Sequence, residues 1–76
     1  MMNEASLKYL IAVLIEKAND VKAEFKNIQN EGDRLFLEGK RLAYYEMLLT
    51  IQNELDIEDQ DLAEFGLNIH LGKEFA

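Results

Sequence analysis

Leu7, Ile11, Leu14, Ala18, Val21, Phe25 and Ile28 recur at spacings of 4-3-4-3-4-3. An apolar seam held over three heptads leaves little choice but a long amphipathic helix. Asn3 is placed to cap it, and Glu4 lies in the first turn, where a carboxylate meets the positive end of the helix dipole. Glu4 and Lys8 are also spaced for an i,i+4 pair. The stop reads Asn30-Glu31-Gly32-Asp33. Gly32 can adopt the left-handed conformation that closes a helix, and Asp33 can cap the next one. The spacing therefore predicts a first helix over about 4–30, roughly 40 Å long at 1.5 Å per residue.

A second helix is expected over about 34–55. At 100° per residue, Leu35, Leu42, Tyr45 and Leu49 form one apolar stripe, and Leu37, Tyr44, Leu48, Ile51 and Leu55 form another beside it. Together they cover roughly half the circumference, more than the ~100° stripe of an ordinary surface helix. Leu10, Val13 and Ile15 likewise fall outside the seam of the first helix. A fully buried Leu, Ile or Phe contributes about 1.5–3 kcal/mol, so several left wet would forgo as much as the whole stability of a small domain. Two solutions follow. Two hairpins can pair, or the C-terminal third can fold back over the second stripe. Symmetric pairing covers the same patch on both chains at once and is the preferred expectation. The expected fold is all-α: a long antiparallel two-helix hairpin plus a short C-terminal helix, assembling as a four-helix bundle in a homodimer. Its interface residues would be Leu37, Arg41, Tyr44, Tyr45, Leu48, Ile51 and Leu55.

The remaining third begins Asp56-Ile57-Glu58-Asp59-Gln60-Asp61, and a short helix is expected over about 57–65. Acids cluster at its start, and Gly66-Leu67 resembles a helix stop with a hydrophobic clasp. Leu62, Phe65 and Leu67 would face inward. Residues 68–76 read as a flexible tail, with weak alternation at Asn68-Ile69-His70-Leu71.

Size and charge narrow the function classes. Seventy-six residues make one domain, 1–76, near the lower limit for folding alone. With 49% apolar and 30% charged residues, the chain is too hydrophobic for a disordered tail. It has no Cys and no Pro. That excludes disulfides and thiolate metal sites and fits a cytoplasmic location. The net charge of −7 opposes direct nucleic-acid binding. Five of those seven negative charges fall within residues 56–76, which carry six acids and one base, Lys73. That third reads as a solvated acidic surface or as a docking patch for a basic partner. The run Tyr9 to Ile15 is far shorter than the ~20 residues of a membrane span and lacks the basic leader of a signal peptide, so no membrane role is expected.

No constellation points to chemistry. Glu38 and Arg41 fall inside the apolar arc at i,i+3, where they can touch, and a salt bridge is expected there, between the two or to a carboxylate on the first helix or a neighbouring chain, with Gly39 beside them marking a close helix crossing or a kink. An enzyme site shared across a dimer at Glu38, Arg41 and Tyr45 is the only catalytic arrangement to weigh. The adjacent tyrosines Tyr44 and Tyr45 point about 100° apart and suit two different contacts. A base-stacking role would need more than Lys40 and Arg41 nearby. Asp56, Glu58, Asp59 and Asp61 do not fit a calcium loop, which needs Gly at its sixth position. His70, the only histidine, has no partner set for a metal, and no paired Glu-x-x-His motifs exist for a di-iron bundle. Ser6 and Thr50 lack a neighbouring base, and no glycines form a phosphate loop. No cofactor, metal or catalytic residue is expected.

At residues 35–55, Leu37-Glu38-Gly39-Lys40-Arg41-Leu42-Ala43-Tyr44-Tyr45-Glu46 resembles a segment of small uncharacterised bacterial helical-hairpin proteins. Those share a Phe/Leu-x-x-Gly-Lys/Arg-x-x-Ala-Tyr-Tyr-Glu core, whose frame is loosely kept here. The resemblance implies a hairpin that oligomerises, and it implies no activity. The expected function is that of a non-enzymatic oligomeric interaction or adaptor protein. The alternative is an acidic regulator of a basic nucleic-acid-binding protein.

Overall fold

The computed structural model describes residues 3–75 and is all-helical across them. The first long helix, α1, spans Glu4–Glu24, and a 3₁₀ turn follows at Phe25–Asn27. The second, α2, spans Glu31–Ile57. A 3₁₀ helix at Leu62–Phe65 and a short helix α3 at Leu71–Phe75 complete the chain.

The ends of these helices explain most of the chain's course. Asn3 caps α1 as expected, its Oδ1 accepting from the Ser6 N–H at 2.8 Å. The seam then gives way early. Phe25–Asn27 tightens into a 3₁₀ turn and Ile28 is extended (φ −72°, ψ 134°), which reverses the chain in three residues, 28–30. Asn30, not Asp33, caps α2. Its Oδ1 accepts from the Asp33 N–H at 2.8 Å, and its Nδ2 donates to the Asp33 carboxylate at 3.0 Å. This reciprocal arrangement draws residues 31–33 into the first helical turn, with Glu31 and Asp33 at the positive end of the dipole. Gly32 therefore lies inside α2 rather than closing α1.

At its far end α2 runs past Leu55 to Ile57 and stops in a Schellman motif. The Gln60 N–H donates to the Leu55 carbonyl at 2.9 Å and the Asp59 N–H to the Asp56 carbonyl at 3.1 Å. Asp59 takes the left-handed conformation there (φ 57°). The expected third helix is accordingly shorter. Asp61 caps the 3₁₀ helix through the Ala63 N–H at 3.0 Å, and Gly66 (φ 74°) ends it with Leu67 donating back to the Leu62 carbonyl at 2.9 Å.

The C-terminal third folds back. Residues 67–75 are not a free tail, because Leu67, Leu71 and Phe75 are buried, at 0%, 2% and 3% exposure. They join Phe65 with Ile11, Ala18, Leu48 and Leu55 in one hydrophobic core. Gln52 pins the extended stretch between the 3₁₀ helix and α3, its Nε2 donating to the carbonyls of Leu67 (2.9 Å) and Ile69 (3.0 Å). From α1, the Lys22 ammonium pairs with Glu74 at 3.6 Å and lies 5.4 Å from the Phe75 ring centroid. Lys8 stands the same 5.4 Å from the Phe65 ring. The His70 imidazole Nδ1 accepts from the Lys73 N–H at 3.1 Å and so caps α3. Ala76 lies outside the described residues.

Candidate interaction surface

The residues expected at an interface divide into four groups. Leu37, Leu48 and Leu55 are interior to one chain, at 6%, 0% and 5% exposure, and offer a second chain nothing. They form the stripe of α2 that faces α1, so the stripe assigned to a partner is the one the hairpin itself uses. Tyr45 is half-buried on the side of the C-terminal third, sharing a hollow with Leu49, Gln52, Ile69 and Leu71. Tyr44 is half-buried on the other side, beside Val21 and Lys17 of α1. The adjacent tyrosines do serve different contacts, both of them within the chain.

Arg41 and Glu38 do not pair with each other. Glu38 meets Arg34 one turn earlier at 3.6 Å, and the Arg41 guanidinium lies over the Phe25 ring at 5.2 Å. The i,i+4 geometry and an aromatic face serve these two side chains better than the i,i+3 pair. Gly39 faces open space, with nothing within 4 Å of where a Cβ would stand, so within one chain there is neither a crossing nor a need for glycine.

Ile51 is half-buried as well. It lines a largely apolar groove of about 630 Å³ with Leu10 and Leu14 of α1 and Ala43, Glu46, Met47 and Thr50 of α2. The groove runs between the two helices on the side away from the C-terminal third. Leu10 and Met47 at its mouth are 39% and 43% exposed, and Tyr9 beside them is 74% exposed. The physical cause is the surplus arc noted in the sequence. The C-terminal third packs beside Tyr45 and Leu49 on one side, and among the described residues nothing closes the groove on the other. A separate pair, Leu35 and Leu42, stays 61% and 52% exposed on the outward face of α2. Leu10 was among the surplus apolar residues noted in the sequence, and Met47 was not. Their place off both α2 stripes and off the α1 seam was the available signal.

Among the described residues, no polar or charged side chain is buried, and no three His, Cys, Asp or Glu side chains converge as metal ligands. The Thr50 hydroxyl donates to the Glu46 carbonyl of its own helix at 2.9 Å. Asp56, Glu58, Asp59 and Asp61 are all exposed around the end of α2. No described helix is long and apolar enough to cross a membrane. Compared with protein-family models, with curated proteins and with solved structures, the chain matches none.

Proposed function

We propose that this chain is a non-enzymatic helical interaction protein that works as a homodimer in a reducing cytoplasm, two hairpins pairing as a four-helix bundle. The observation that carries the reading is the uncovered groove between α1 and α2, where Leu10, Leu14, Ala43, Met47 and Ile51 form an apolar surface edged by Glu46 and Thr50. A folded chain of 76 residues with that much wet apolar surface is stabilised by any partner that dries it. The pairing differs from the sequence expectation in one respect: the surface is the groove face, and the Leu37, Leu48 and Leu55 stripe stays inside each chain. Light scattering over a range of concentrations tests the reading. A particle of twice the chain mass, dissociating on dilution, is expected; a stable folded monomer throughout would refute it.

A second reading is favoured by the exposure of Asp56, Glu58, Asp59 and Asp61 at one end of the molecule. In it the chain regulates a basic nucleic-acid-binding protein through this acidic patch, with no nucleic acid bound directly. Salt-sensitive retention of basic proteins, abolished when these four carboxylates are changed to amides, is the expected result. Retention unchanged by those amides would remove it.

A further inference from the structure

Lys40, Met47 and Glu54 stand seven residues apart on α2, and a straight helix drifts only about 20° per heptad. The three therefore lie in one row on the groove side of the helix, Lys40 and Glu54 about 10 Å to either side of Met47. Among the described residues Lys40 has no carboxylate and Glu54 no cation within ion-pair distance; the pairs formed are Lys8–Glu4, Lys22–Glu74 and Arg34–Glu38. Each chain thus presents a positive charge and a negative charge, neither in an ion pair, placed symmetrically about an exposed methionine; the Lys40 ammonium rests 5.6 Å from the Phe36 ring centroid, beside a hollow that Asp20 and Glu24 also line.

That row is self-complementary in one direction only. We propose that a second copy of this chain docks on the groove face with its α2 antiparallel to the first, the two-fold axis passing beside Met47. This rests on the homodimer reading and specifies its surface and register. Lys40 of each copy then faces Glu54 of the other, and Ala43 faces Ile51. A parallel arrangement would set Lys40 against Lys40 and Glu54 against Glu54, like charges that repel. The side chains in the centre of the row fit the role: Met47 is an adaptable knob, and Ala43 and Thr50 flanking it are small. Size is also adequate. The row from Phe36 to Glu54 is about 27 Å long, and with a molecular width of 18–20 Å the face projects about 500 Å². A corrugated helical surface exposes more than its projection, which brings it near the ~800 Å² per partner of a standard interface.

The test is a charge exchange read by sedimentation of the full chain. Lys40→Glu alone and Glu54→Lys alone each place like charges at both symmetric contacts, and each is expected to weaken the dimer about tenfold. An equimolar mixture of the two variants restores both attractions, and is expected to form a heterodimer at least as tight as the parent. Circular dichroism checks that each variant stays helical, and Lys40→Gln with Glu54→Gln replaces any that does not, with milder weakening expected. A parent dimer indifferent to either single reversal, or weakened variants that do not recover on mixing, overturns the register while leaving the homodimer intact. Loss of the dimer in Leu42→Gln but not in the charge variants would assign the contact to the Leu35–Leu42 stripe and likewise overturn it. A parent chain that is monomeric refutes the underlying reading itself.

Discussion

Asp59 closes α2 in a left-handed conformation that glycine adopts without strain and aspartate does not. Asp56, Glu58 and Asp61 crowd the same turn, so its carboxylate also adds to local repulsion. Asp59→Gly is expected to stabilise the fold by about 0.5–1 kcal/mol, measured as a shift in the urea midpoint with an unchanged slope. Gly39 is the opposite case. It sits in mid-helix with open space where a Cβ would stand. Gly39→Ala should stabilise by about 1 kcal/mol in the same measurement. These single residues also mark where the sequence was hard to read. Asn30, Gly32 and Asp33 can each punctuate a helix, and only the reciprocal bonds between Asn30 and Asp33 decide which one does.

Among the elements, α1 and α2 were legible because an apolar period of 3.6 residues has one physical reading over that length. The C-terminal third was not. Residues 67–75 have too few apolar positions to show a period, and their order comes from tertiary contacts: Leu71 and Phe75 buried against the hairpin, and Gln52 reaching fifteen and seventeen residues along the chain. A glutamine on a helix carries no sign of what it will bond. Two half-buried hydrogen bonds to one amide predict that Gln52→Ala destabilises the chain by about 1–3 kcal/mol. The loss should appear first as faster amide hydrogen exchange in Leu71–Phe75, with α1 and the first half of α2 less affected. Uniform acceleration along the whole chain would mean that the C-terminal third unfolds only with the hairpin.

At the scale of the molecule, the excess apolar arc was correctly located in the sequence, and its resolution is divided. The C-terminal third dries one side of the hairpin, from Ile15 to Leu49, while the groove from Leu10 to Met47 stays open on the other. Of the interface residues expected from sequence, Leu37, Leu48 and Leu55 are buried within one chain for a related reason. A helical wheel shows how many stripes a helix has, but not which stripe the nearest helix will take. The most direct measurement is a dilution series of ¹H–¹⁵N correlation spectra. The account predicts concentration-dependent shifts at Leu10, Ala43, Met47, Thr50 and Glu54, with Leu67, Leu71 and Phe75 unchanged throughout. Shifts confined to the C-terminal third, or none anywhere across the series, would contradict it.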